Sequence, residues 1–174
     1  MNFIETIQKN LGYPPIKKID PNTSKPMHND FETGSIAQAA IPVTVLALFN
    51  YIDANQLKPA DLNKNQHQWL TLIFADKNSE IISHVAQYAD STMESTRHEM
   101  EFILKEALRL IKELNGDDAP LHGFTVQHKA EALLYLPVSL HAGIILGNNN
   151  IDDNTNKMEG PVSNLMHNIE KRFK

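Results

Sequence analysis

The sequence predicts an all-α protein of about seven helices, and three observations lead to this prediction. Apolar residues recur every three or four positions along most of the chain, which is the spacing of one helix face. No segment alternates apolar and polar residues as a half-buried β-strand does. Two apolar segments are preceded by capping boxes, Ser35 to Gln38 and Ser91 to Glu94, in which a serine stands three residues before a glutamine or glutamate. The predicted helices are, in order, about 2–11, 35–54, 67–76, 79–89, 91–114, 125–147 and 161–173.

Composition and charge limit the class of protein. The chain is 41% hydrophobic and 21% charged, which is typical of a globular protein, and its 174 residues predict a single all-helical domain over 1–174. A formal charge of −5 argues against nucleic acid as a partner. The absence of cysteine excludes disulfides and thiolate catalysis. The first ten residues, MNFIETIQKN, lack the apolar core of a signal peptide, so we expect a cytoplasmic protein.

The first helix is predicted to end at Gly12, because glycine accepts the left-handed conformation that closes many helices. The segment 13–34 is polar and proline-rich and is predicted to be either a draped, functional loop or a mobile one. The helix over 35–54 is apolar on nearly all sides, although it contains Pro42, and should therefore be buried.

The helix over 91–114 has two distinct faces. Its apolar residues define an inner face, made of Met100, Ile103, Leu104, Ala107, Ile111 and Leu114. The charged residues that resemble metal ligands, Glu94, His98 and Glu101, lie roughly 100 to 160° away from this face. Glu80 and His84 avoid the apolar face of their own helix in the same way. We therefore predict exposed ion pairs and no metal or other cofactor.

The apolar stretch from 132 to 147, with Pro137 at its centre, is too short for a membrane span, which requires about 20 residues. It is predicted as a second buried, proline-kinked helix over 125–147. A shift of 95 residues aligns 36–55 with 131–150 and matches five of 20 residues, including Pro42 with Pro137. This match predicts an internal duplication, with pseudo-repeats at 1–76 and 92–174.

No catalytic motif survives inspection of the spacing, and no catalytic residue is predicted. The leading hypothesis is a non-enzymatic interaction or structural module that forms homo-oligomers. A second hypothesis is a binder of a small apolar ligand or lipid between the two kinked helices. A third is a metal-dependent hydrolase that uses the histidines. The residues predicted to line a ligand site are Tyr135, Ser139, His141, Thr44, Asn50 and Tyr51.

Overall fold

The computed structural model describes residues 2–19, 35–63, 68–116 and 119–140. Within these ranges 77% of the residues are helical and there is no strand, which confirms the all-α prediction. Three short 3-10 helices, Pro59–Asn63, Ala75–Lys77 and Val138–Leu140, accompany the α-helices. The predicted helix over 161–173 lies outside the described residues, as do residues 20–34 of the predicted loop. The α-helices are α1 (Phe3–Asn10), α2 (Ile36–Ala54), α3 (Trp69–Phe74), α4 (Asn78–Tyr88), α5 (Met93–Asn115) and α6 (Leu121–Leu133).

The end of α1 shows why its sequence stops the helix. Gly12 adopts a φ of 73°, a conformation that glycine accepts without strain. Its N–H donates to the Lys9 carbonyl at 3.1 Å, and the N–H of Tyr13 donates to the Gln8 carbonyl at 3.0 Å. These two bonds form a Schellman motif, which satisfies carbonyls that the end of a helix would leave without donors.

The first predicted capping box is confirmed at Ser35 only, and the cap of the second helix is displaced by one residue from the prediction. Ser35 caps α2 through its hydroxyl, which accepts from the N–H of Gln38, but the Gln38 side chain turns away to other partners. The cap of α5 is Thr92, whose hydroxyl accepts from the N–H of Ser95 at 3.2 Å, so the predicted cap at Ser91 was wrong by one residue. Serine and threonine are both good helix caps, so the sequence spacing alone does not determine whether Ser91 or Thr92 caps the helix.

Helix α2 forms the centre of the described fold and packs against all five other α-helices. Every residue from Ala37 to Phe49 is buried, as its apolar composition predicts. By length and composition alone α2 is able to cross a membrane, yet 78% of its apolar window is buried inside the protein. A core helix of a soluble protein passes the same test, so the observation is weak evidence for a membrane.

An aromatic cluster joins α1, α2 and α6. The ring of Phe3 lies 5.6 Å from that of Phe49 and 5.4 Å from that of Phe124, with the second pair edge-on. His128 closes the cluster, with its ring 4.5 Å from Phe124 and 5.4 Å from Phe3. Tilted and edge-on aromatic pairs of this kind stabilise a core beyond their buried area, by about 0.5–1.5 kcal/mol each.

Helix α5 presents the predicted inner face to the core. Its members from Met100 to Ile111 are buried, whereas the predicted ligand-like residues Glu94, His98 and Glu101 are exposed. Leu114 was predicted on the inner face but is 42% exposed, because it lies in the last turn of the helix, beyond the packed part.

The second central helix is shorter than predicted and does not contain Pro137. It begins at Leu121 and ends at Leu133, four residues before the proline. Proline lacks an N–H and its ring collides with the carbonyl four residues earlier, here that of Leu133. That carbonyl instead accepts from the N–H of Leu136 at 3.3 Å, within a series of tighter i to i−3 bonds that close the helix. Pro42, in contrast, lies within α2, so the predicted equivalence of the two proline segments is not confirmed.

Candidate functional site

The residues predicted to line a ligand site do not share one environment in the described part of the chain. Thr44 is fully buried in α2, Tyr135 is 1% exposed, and Ser139 is exposed. Asn50 and Tyr51 are partly buried, and His141 lies outside the described residues.

Tyr135 and Tyr51 lie at opposite ends of α2. The carbonyl of Tyr135 accepts from the Gln38 side chain at 2.8 Å, in the first turn of the helix. The ring of Tyr51 stands edge-on to Trp69, at 6.0 Å between centroids. Gln38 and Tyr51 are 13 residues apart (51 minus 38) on α2, which corresponds to about 20 Å along the axis.

The hydroxyl of Tyr135 is bonded within the protein and ties the end of α6 to α1. It donates to Glu5 Oε1 at 2.6 Å and accepts from Asn2 Nδ2 at 2.9 Å. Burial raises the pKa of Tyr135 to about 12, and the hydrogen bond to the Glu5 carboxylate adds to the rise. The phenol therefore stays neutral and serves as a linker between the two helices.

Glu131 connects the same two helices one turn earlier. Its Oε2 accepts from the N–H of Phe3 at 2.9 Å, at the N-terminus of α1. The same oxygen lies 3.1 Å from Nδ1 of the buried His128. A carboxylate at a helix N-terminus satisfies a free N–H and interacts favourably with the helix dipole, so Glu131 stabilises the start of α1.

Gln38 fixes the segment after α1 to the end of α6. Its Oε1 accepts from the N–H of Lys17 at 2.8 Å, and its Nε2 donates to the carbonyls of Lys17 and Tyr135 at 3.0 and 2.8 Å. The N–H of Ile19 donates to the carbonyl of Leu134 at 2.7 Å beside it. A buried amide with both of its polar atoms bonded is a structural linker.

A second polar cluster surrounds Asp53 at the other end of α2. Its Oδ1 accepts from Thr125 Oγ1 at 2.6 Å and lies 3.1 Å from His122 Nδ1, and its Oδ2 lies 2.6 Å from Lys129 Nζ. Burial alone would raise the pKa of Asp53, but the hydrogen bonds from Lys129, Thr125 and His122 outweigh burial and hold the pKa below its usual value. The carboxylate therefore remains charged and joins α2 to α6.

The Asp53 cluster contains the residue types of a nucleophilic triad in a different arrangement. In such a triad the hydroxyl bonds the imidazole, which takes its proton. Here the Thr125 hydroxyl donates to the carboxylate itself, and the His122 side chain is 76% exposed. The geometry supports helix-to-helix attachment and does not activate Thr125 as a nucleophile.

The outer face of α6 is an exposed surface that carries several apolar side chains. It lies opposite the buried residues His128 and Ala132 and carries no charged residue. We call it the α6 outer face, and it consists of Gly123, Val126, Gln127, Ala130 and Leu133, with Leu134 directly after the helix.

The comparisons with known proteins add no relative. Neither a protein-family model, nor a curated protein, nor a solved structure matches this chain. Within the ranges that the structure describes, no three histidine, aspartate or glutamate side chains are placed to hold one metal ion.

The prediction from the sequence missed both polar clusters. His122, Thr125 and Lys129 stand at i, i+3 and i+7, which places them on one edge of α6 and is a signal that the sequence contains. Their partner Asp53 is 69 to 76 residues away, so no local spacing connects it to them. Asn2, Glu5 and Glu131 gave no signal of their own, because they meet only through the packing of α1 on α6.

Proposed function

We propose that this protein is a non-enzymatic helical interaction module that associates with itself, with the α6 outer face as its docking surface. The observation that carries the proposal is the exposure of apolar side chains on this uncharged face. Val126 is 56% exposed, Leu133 38% and Leu134 46%. Exposed apolar side chains that cluster on one face mark contact surfaces more often than single ones do.

The charged side chains have different roles between the helices and on the exposed face of α5. Asp53, Glu131 and Glu5 hold helices together, and each accepts a hydrogen bond from a donor elsewhere in the fold. The outer face of α5, in contrast, carries an exposed ion pair between Arg109 and Glu113, at 2.6 Å. Exposed ion pairs keep a surface hydrated, whereas the α6 outer face has little affinity for water.

A charge placed on the α6 outer face tests the proposal. The substitution Val126→Glu should abolish self-association, because the pair would bury a carboxylate without a partner. The matched control is Phe102→Glu, which makes the same kind of change at a 58% exposed apolar residue of α5 and should leave association intact. Sedimentation velocity reports the mass, and circular dichroism confirms that both variants are folded.

Two results would contradict the proposed function. One is a wild-type protein that remains monomeric over the whole concentration range, from about 10 µM to about 1 mM, in which a weak interface assembles. The other is a wild-type oligomer that Val126→Glu leaves intact, because the docking surface would then lie elsewhere.

We also propose that the chain arose by internal duplication, with a proline kink in α2. The support is the match of 36–55 with 131–150, five identical residues of 20. Pro42 lies inside a helix, whereas Pro137 lies after one. On this proposal, the two copies have diverged in local structure since the duplication.

A further inference from the structure

Four residues of the α6 outer face have the spacing of a coiled-coil seam. Gly123, Val126, Ala130 and Leu133 stand at i, i+3, i+7 and i+10, which are two successive pairs of a and d positions. On a straight helix this spacing produces one continuous stripe that a second helix is able to follow at a crossing angle of about 20°. Here the stripe is on the exposed side of α6, so the described part of the fold does not use it.

Gly123 is not explained by packing within the described chain. A Cβ atom at this position would meet nothing within 4 Å. The residue has no positive φ, and glycine disfavours a helix relative to alanine. An open position on the stripe leaves room for a side chain from outside.

We propose that the partner on the α6 outer face is a second copy of this chain, with the two α6 helices antiparallel and Leu133 of each copy packed over Gly123 of the other. This inference rests on the proposed function and specifies its partner. In the antiparallel register, residues whose numbers sum to 256 face each other, since 123 and 133 give the same sum as 126 and 130. Large residues then face small ones along the seam, Leu133 with Gly123 and Val126 with Ala130, which is the arrangement that close packing requires.

The polarity of the two edges of the seam favours the antiparallel pair, which keeps the apolar edge of one copy away from the charged edge of the other. A twofold axis perpendicular to antiparallel helices brings like edges together, whereas a parallel pair brings unlike edges together. One edge of the seam carries Gln127 and Leu134, which are uncharged, and the other carries His122 and Lys129. The ammonium of Lys129 lies 2.6 Å from the Asp53 carboxylate, so its charge is compensated within its own chain. A parallel pair would place this ion pair against Leu134 of the partner and desolvate it.

The small area of the seam limits the affinity of the proposed dimer. Three partly exposed apolar side chains and two small residues offer a few hundred Å² per copy, less than the roughly 800 Å² of a standard interface. We therefore expect a weak dimer that dissociates in the micromolar to millimolar range.

The test fills the space that the partner's leucine needs. Gly123→Leu should weaken dimerisation at least about tenfold, as measured by sedimentation velocity from about 10 µM to about 1 mM. Its control, Gly123→Ala, improves helix propensity without filling the space and should leave the dissociation constant within about threefold of wild type. The double variant G123L/L133A exchanges the large and small positions and should recover association to within about threefold of wild type.

The outcomes separate this inference from the proposed function. If the wild type is monomeric throughout, both fail. If the wild type dimerises and loses the dimer in Val126→Glu but not in Gly123→Leu, the face is the docking surface and the antiparallel register is wrong. If Gly123→Leu lowers the midpoint of thermal unfolding, the open position belongs inside the folded chain and the inference is overturned. Failure of the G123L/L133A double variant to recover association contradicts the facing of residues 123 and 133.

Discussion

Among single residues, Asp53 joins α2 to α6 through three side chains of the second helix. Its hydrogen bonds from Lys129, Thr125 and His122 come from one edge of α6 and hold its pKa below the usual value against the effect of burial. We expect Asp53→Asn to lower the free energy of unfolding at pH 7 by about 1–2 kcal/mol, because the ion pair with Lys129 is lost. Urea unfolding of the two proteins measures the difference.

The pH dependence of that difference identifies the carboxylate as its cause. A lowered pKa in the folded state means that the stabilisation is present above the pKa of the unfolded state, about 3.9, and is lost as the pH falls through the folded value. The gap between wild type and Asp53→Asn should therefore shrink below about pH 4. Asp76→Asn, at an exposed carboxylate, is the control and should change stability by no more than about 0.5 kcal/mol. A gap that stays constant down to pH 2 would contradict this role for Asp53.

At the scale of elements, α1 is attached to the end of α6 through Tyr135. We expect Tyr135→Phe to lower the free energy of unfolding by about 1–2 kcal/mol at pH 7, because Asn2 and Glu5 lose their shared partner. Burial and the bond to Glu5 raise the pKa of Tyr135 to about 12, so its stabilisation is full below the unfolded value of about 10 and is lost as the pH rises through 12.

The same unfolding experiment between pH 8 and pH 12 checks this assignment. The wild type should approach the Tyr135→Phe variant in stability as the pH rises above about 10, because ionised tyrosine favours the unfolded chain. The variant serves as its own reference for the other tyrosines, which both proteins share. A gap that widens over this range would show that the hydroxyl is not the linker described above.

The helices themselves were largely predictable, and their ends were less so. The periodicity of α5 predicted its buried face, and the apolar composition of α2 predicted its burial. Both predictions depend only on the local sequence. The end of α6 was mispredicted because an apolar run on both sides of Pro137 resembles the run around Pro42. Tertiary contacts distinguish the two proline segments. After Leu133 the chain turns, and the carbonyls of Leu134 and Tyr135 accept hydrogen bonds from Ile19 and Gln38.

The candidate site was less predictable than the fold, for a related reason. Tyr135 was predicted from the sequence to line a ligand site, and its bonds to Asn2 and Glu5 were not predicted. These partners are more than 100 residues away in the sequence, and no periodicity within α1 or α6 predicts the contact. The stripe on α6, by contrast, is local, but the sequence alone did not show that it lies on the exposed side of its helix.

For the molecule as a whole, the net charge opposes self-association, whereas the proposed interface favours it. Each chain carries a formal charge of −5, so two copies repel each other, but the seam between them contains no ion pair that salt would weaken. Salt screens the repulsion, with a Debye length of about 10 Å at 0.1 M. We therefore expect self-association to strengthen by up to about threefold when sodium chloride rises from about 0.02 M to about 0.5 M.

Sedimentation at the two salt concentrations measures this effect, with Gly123→Leu as the reference for association that does not use the seam. An interface in which charged side chains of the outer face of α5, such as Arg109 and Glu113, formed ion pairs between two copies would respond in the opposite way. Its ion pairs would be screened, and association would weaken about tenfold or more over the same range. The sign of the salt dependence therefore distinguishes the uncharged face of α6 from the charged face of α5 as the surface through which the protein assembles.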